Sequence, residues 1–160
     1  MGTSTDAILF FGVALPDPES ADFIPYPWKD EDEDDDDERN EWDFLAAKQG
    51  VVHPDLPYDN WTPEHEAAYA EYSKRRDAIR ASYSCEIGYH CSNECPMLYV
   101  AVNHREITAN RGYPKEIDPE KLAVLDRDKE KVREFLLALG YTTEQIEGWR
   151  IGWHLVSWWG

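Results

Sequence analysis

The chain has 160 residues, seven Trp and nine Tyr among them, and a formal net charge of −17. That length suits one domain able to bury roughly 70% of the surface its unfolded chain exposes, and no apolar stretch approaches the roughly 18–20 residues of a bilayer span. An acidic field of this size repels phosphates and attracts basic proteins over a Debye length of roughly 10 Å at 0.1 M salt, which argues against direct nucleic-acid binding.

The start, Met1-Gly2-Thr3-Ser4-Thr5-Asp6, lacks the basic region of a signal peptide and places Asp6 where a myristoylation motif wants Ser or Thr. The expectation is a cytoplasmic protein. Residues 7–15, Ala-Ile-Leu-Phe-Phe-Gly-Val-Ala-Leu, are rich in aromatic and branched side chains and are stopped by Pro16 and Pro18. They predict a central strand buried on both faces.

Residues 16–38 follow as a long acidic loop inserted after that strand. Pro16, Pro18, Pro25 and Pro27 precede nine consecutive carboxylates: Asp30, Glu31, Asp32, Glu33, Asp34, Asp35, Asp36, Asp37 and Glu38. Such a block repels itself, cannot enter a core and marks a solvated interaction segment. The charge is concentrated there, because residues 17–43 hold fourteen Asp/Glu against Lys29 and Arg39, a local net of −12, leaving −5 for the other 133 residues. Asp30, Asp32, Asp34, Glu38 and Glu41 fall at positions 1, 3, 5, 9 and 12 of a calcium loop, but Asp35 stands where that loop needs Gly and Asp37 where it needs an apolar residue. The match reflects acidic density, and no metal or cofactor is expected.

A short helix over 41–49 would turn Trp42, Leu45 and Ala46 to one face before Gly50. A second begins with Thr62 as cap and Pro63 in the first turn and reaches about Arg80, with Ala68, Tyr72 and Ile79 inward. Residues 83–92, 97–103 and 106–110 then read as an antiparallel meander, turning near Ser92–Glu94 and again at Asn103-His104. Asp118-Pro119 opens a short helix, and Asp126 or Asp128 a longer one carrying Val132, Phe135, Leu136 and Leu139 at helical spacing before Gly140. Residues 149–159 read as a strand, with Trp149, Ile151, Trp153, Leu155 and Trp159 facing the core and Arg150, His154, Val156 and Trp158 on the other side. An interface edge and a sheet face covered by helices both account for that second set. The fold class is α+β: a single domain with an antiparallel sheet holding both terminal strands, and three or four helices packed mainly on one face.

Chemistry-bearing motifs are sparse. Cys85, His90, Cys91 and Cys95 lack zinc-knuckle spacing, and on a regular strand His90 points opposite Cys91 while Cys85 lies roughly 20 Å from it. Ordinary thiols are the main reading, and a turn at 92–94 would also let Cys91 face Cys95 across a disulfide. There is no nucleophile elbow, phosphate loop, dinucleotide fingerprint or His-Glu-x-x-His helix, and His65 and His104 belong to a helix start and a turn. No enzymatic reaction is indicated.

Three stretches carry a resemblance: Asp6-Ala7-Ile8-Leu9-Phe10-Phe11-Gly12; Glu86-Ile87-Gly88-Tyr89-His90-Cys91-Ser92 with Pro96-Met97 and Arg111-Gly112-Tyr113-Pro114; and Trp153-His154-Leu155-Val156-Ser157-Trp158-Trp159-Gly160. Over about half its length the chain resembles small proteins of bacteriophage and prophage genomes to which no activity is assigned. The resemblance implies a phage origin and a place in the host cytoplasm, and it carries over no catalytic residue. Together with the acidic run it points to a non-enzymatic host-takeover or anti-defence inhibitor. Such a protein would occupy a basic surface of a host protein through Asp30–Glu38, with Trp28 or Trp42 as apolar anchor and Trp158 at a further contact face. A duplex mimic fits less well, because the helices beginning at Thr62 and Asp126 carry mixed charge, including Lys74, Arg75, Arg76 and Arg80. The alternatives are a structural or regulatory phage component kept soluble by the run, and then a metal protein or enzyme.

Overall fold

The computed structural model describes residues 5–18, 20, 23–29, 40–56, 59–91 and 96–159. In chain order the elements are β1 (Thr5–Ala14), α1 (Glu41–Lys48), α2 (Pro63–Ser82), β2 (Cys85–Cys91), β3 (Pro96–Ala109), a 3-10 turn (Pro119–Leu122), α3 (Asp126–Leu139), α4 (Thr143–Glu147) and β4 (Gly152–Trp159). The fold is α+β. Contacts group the chain into two compact units: residues 1–25, 84–137 and 141–160 in the first, and 26–83 with 138–140 in the second. Among the described residues no helix is long and apolar enough to cross a membrane.

The first unit is built on β1, whose apolar run satisfies its backbone on both edges. It pairs antiparallel with β4 from Thr5↔Trp159 to Gly12↔Gly152, and antiparallel with β3 on its other side. Both terminal strands thus lie in one sheet. β2 pairs antiparallel with β3 from Cys85↔Val102 to Cys91↔Pro96, and a single parallel bridge, Cys91↔Trp158, closes the four strands into a barrel.

Two details of the sheet differ from the sequence expectation. The chain does not reverse at Asn103-His104, because residues on both sides of that dipeptide pair with the same strand, β1. Phe10 is opposite Glu106 and Gly12 opposite Ala101, so residues 102–105 stand against Phe11 alone. His104, at φ 64°, takes the left-handed conformation that lets this long bulge bend β3 without turning it back. The second difference concerns β4: the alternation holds and Trp153 packs on buried Phe11, but beyond it Val156 and Trp158, not Leu155, take the side of the barrel cluster. Register places His154, Val156 and Trp158 opposite Phe10, Ile8 and Asp6, and Val156 and Trp158 pack on the cluster of Ile8, Phe10, Tyr99 and Ala101. Leu155, expected in the core, is 71% exposed.

Glycine makes the barrel this tight at two places. A Cβ on Gly12 would lie 1.7 Å from the Val100 carbonyl oxygen, and one on Gly88 would lie 2.3 Å from the ring of Tyr99, its cross-strand partner. The Tyr99 ring therefore lies over Gly88 and stacks on Phe10 at 4.1 Å, while its hydroxyl donates to Glu106 at 2.7 Å.

In α3 the predicted stripe Val132, Phe135, Leu136 and Leu139 is buried, and the helix ends at Gly140, φ 104°. Buried Asp128 pairs with Arg105 at 3.4 Å and with Lys131 at 3.4 Å. The Arg105 guanidinium also lies over Phe11 and Trp153, at 5.2 and 5.1 Å from the ring centres, so one side chain satisfies a buried carboxylate and covers two aromatic faces. The short α4 was not expected. Its start is a reciprocal capping box, in which Thr142 Oγ1 accepts from the Gln145 amide at 3.3 Å and Gln145 Oε1 from the Thr142 amide at 2.7 Å.

The second unit pairs α1 with α2. Asn40 caps α1 by accepting from the Trp42 and Asp43 amides at 2.9 and 3.1 Å, and Trp42, Leu45 and Ala46 are buried as the spacing predicts. Thr62 caps α2 with Pro63 following; Tyr72 and Ile79 are buried, but Ala68 is exposed. The stripe instead runs from Tyr69 through Tyr72 and Arg76 to Ile79, because the Tyr72 hydroxyl and Arg76 Nη1 both reach Asp43 Oδ1, at 2.5 and 3.3 Å. Burial and the hydrogen bond to Asp43 hold the Tyr72 hydroxyl protonated far above the usual tyrosine range.

Candidate functional site

The acidic run Asp30, Glu31, Asp32, Glu33, Asp34, Asp35, Asp36, Asp37 and Glu38 lies outside the described residues, and so do the calcium-loop positions within it. Its two points of departure are described, and both belong to the second unit. On the N-terminal side Trp28 stacks on Tyr26 at 5.1 Å with an interplanar angle of 12°, and Lys29 Nζ sits 5.9 Å from the Tyr26 ring centre. On the C-terminal side Asn40 starts α1, with Glu41 and Asp43 in its first turn, where carboxylates favour the positive end of the helix dipole. Burial nevertheless raises the Glu41 carboxyl above its ordinary value, outweighing the nearby Arg80.

The two tryptophans expected to anchor a partner hold the ends of the run in their own unit. Trp28 is 6% exposed and Trp42 is 7% exposed, and Trp42 is covered by the Arg80 guanidinium at 5.3 Å. Neither ring offers the area that an interface anchor buries. Trp158 belongs to the first unit, where it packs toward the barrel cluster and meets Tyr89 edge-on at 5.1 Å. The exposed aromatic at that place is Tyr89.

Sequence reasoning missed a group of rings on the second unit. Trp61, just ahead of α2, is 43% exposed and lies 5.2 Å from Tyr69, tilted by 58°. His53 meets Tyr69 at 5.9 Å and Tyr72 at 4.9 Å, both edge-on. The array thus runs from a buried, hydrogen-bonded Tyr72 to a solvent-facing indole. Helical spacing shows Tyr69 beside Tyr72, but the return of His53 and Trp61 onto them is a tertiary contact without a local signal.

Among the described residues, two open hollows lie in the first unit. A groove of about 630 Å3 includes Arg105, Lys115, Lys121 and Trp153 in its lining. Several of its polar groups already serve the fold: Arg105 donates to the Ala123 carbonyl as well as pairing with Asp128, Lys115 donates to the Thr108 carbonyl at 3.2 Å, and the Trp153 indole to the Leu122 carbonyl at 2.8 Å. A second hollow, of about 570 Å3, collects Asp6, His90, Cys91 and Ser157. His90 and Cys91 share it because Cys91, at φ 80°, leaves the regular strand alternation. Burial lowers the His90 pKa and favours the neutral imidazole. Cys85 is buried, which pushes its thiol up to about 12 and leaves it without reactive thiolate at neutral pH. Cys95, and with it a Cys91–Cys95 bridge, lies outside the described residues. Among the described residues no three His, Cys, Asp or Glu side chains converge where they could hold a metal ion.

No protein-family model, curated protein or solved structure matches the chain.

Proposed function

We propose that this chain is a non-enzymatic binding protein of phage type, a host-takeover or anti-defence inhibitor, and that it occupies a basic surface of a host protein through Asp30–Glu38. The observation that carries this reading is the concentration of charge: nine adjacent carboxylates lie between Lys29 and Arg39, in a segment that holds most of the net −17. Nine carboxylates in a row contribute nothing to a core and set up a local field that speeds encounter with a basic surface. Support also comes from the buried Trp28 and the capped start of α1 at Asn40, which hold both ends of the run to one unit.

The test is capture of a partner from host lysate with the whole chain, repeated with Asp32–Asp37 replaced by Asn. Recovery of a basic protein that is lost or sharply reduced on neutralisation supports the proposal. Equal recovery assigns the run to solubility and favours a structural or regulatory role for the chain.

A further inference from the structure

Resting on that proposed function, we infer that Trp61, backed by Tyr69 and His53, is the anchor that receives an arginine side chain of the basic partner. Two independent observations meet here. The first is geometric. Trp61 packs on Tyr69, His53 meets both Tyr69 and Tyr72 edge-on, and Tyr72 is fixed to Asp43 by its hydroxyl at 2.5 Å. An indole held in this way presents a rigid face and loses little conformational freedom on binding.

The second observation is charge. Residues 49–73 contain Asp55, Asp59, Glu64, Glu66 and Glu71 and no Lys or Arg, and all five carboxylates are exposed. A hydrogen bond with the Thr62 side chain holds the Glu64 carboxyl below its ordinary value. The cation against this array, Arg76 at 5.8 Å from the Tyr72 ring centre, is paired with Asp43, so the surplus charge of the segment that carries Trp61 is negative, which disfavours an anionic partner and suits a cation. Trp is the strongest ring for a cation over its face, and Arg is the cation that most often takes that place. The patch belongs to the same unit as both ends of the acidic run, and it offers the exposed ring that Trp28 and Trp42 do not.

The probe is a synthetic Arg-Gly-Gly repeat peptide, with a citrulline version that keeps the shape and loses the charge. It is titrated into the whole chain while affinity and the Trp indole NH resonances are followed. The arginine peptide should shift the Trp61 resonance and the citrulline peptide should not. Trp61→Leu, which keeps apolar area without the ring, should weaken binding roughly two- to five-fold, at 0.15 M and 0.5 M salt alike. Tyr69→Leu should weaken it similarly, and thermal midpoints confirm that each variant is folded. Neutralising Asp32–Asp37 should weaken binding separately, and mainly at low salt. An unmoved Trp61 resonance, or Trp61→Leu binding as tightly as wild type while neutralisation weakens it, overturns the anchor and leaves the acidic-run proposal standing. Loss with Trp61→Leu and none with neutralisation does the reverse. No binding of the arginine peptide to the wild-type chain overturns both.

Discussion

Replacing Gly12 by Ala should be among the most damaging single-methyl additions in the chain. The new Cβ would stand 1.7 Å from the Val100 carbonyl oxygen, 2.8 Å from its carbon and 3.0 Å from Ala101 Cα. An ordinary carbon–oxygen contact needs about 3.3 Å, so β1 and β3 would have to part by about 1.6 Å. All three obstructing atoms are backbone, and no rotamer change relieves them. The neighbours that would move, Phe11, Val13, Val100 and Ala101, are buried. Overpacking of this kind costs about 3 kcal/mol, the upper end of the usual range. For a chain of this size that is a fall in Tm of about 6–12 °C. Gly152, the cross-strand partner of Gly12, supplies the control, since a Cβ there meets nothing within 4 Å. Gly152→Ala should be neutral or stabilising by up to about 1 kcal/mol, through the unfolded chain. Urea and thermal melts followed by circular dichroism measure both variants. A Gly12→Ala protein within about 0.5 kcal/mol of wild type would refute the bulged register of β1 against β3.

The other expectations use the same melts. Arg105→Met should cost about 3 kcal/mol, because it strips the guanidinium from a buried Asp128 and leaves it with Lys131; the Arg105→Met, Asp128→Leu double variant should recover part of that loss, and no recovery would show that the stacking on Phe11 and Trp153 dominates. Asp32–Asp37 replaced by Asn should leave the midpoint unchanged or raise it, since mutual repulsion is relieved; a large loss would mean that the run is paired to basic residues of the fold. For Glu41 the folded pKa is raised, so its stabilising share is present below the unfolded value of 4.5 and is lost as pH rises through the folded value. Glu41→Gln should therefore stabilise the protein at pH 7 and lose that advantage near pH 4, and destabilisation at pH 7 would show that the attraction of the helix N-terminus and Arg80 outweighs burial.

Much of the fold is legible where a local rule acts alone. Thr62-Pro63 starts α2, Gly50 and Gly140 end α1 and α3 with positive φ, and the four apolar side chains of α3 recur at helical spacing. The double-sided apolar run of β1 also reveals that it has a strand on each edge. What escapes is set by closure. Asn103-His104 has turn chemistry, yet the barrel uses His104 for a bulge, because β1 continues past it and can pair with both halves of β3. Which face of β4 points inward depends on register with Phe10, which alternation alone does not fix. A five-residue helix such as α4 is too short to show a period, although its Thr142–Gln145 box was there to be read. The acidic run is plain in the sequence, and burial of Trp42 follows the helical spacing of α1, whereas burial of Trp28 and exposure of Trp61 follow from packing that no local pattern encodes.

The most direct measurement of the central claim is the association rate of the whole chain with its captured host partner, taken by stopped flow from 0.05 to 0.5 M salt. Wild type is compared with the protein in which Asp32–Asp37 are Asn. The proposal predicts that wild-type association is fast at low salt and falls steeply as salt rises, and that the neutralised protein starts slower and responds weakly, with dissociation little changed between the two. Association rates and affinities indifferent to both neutralisation and salt would contradict it.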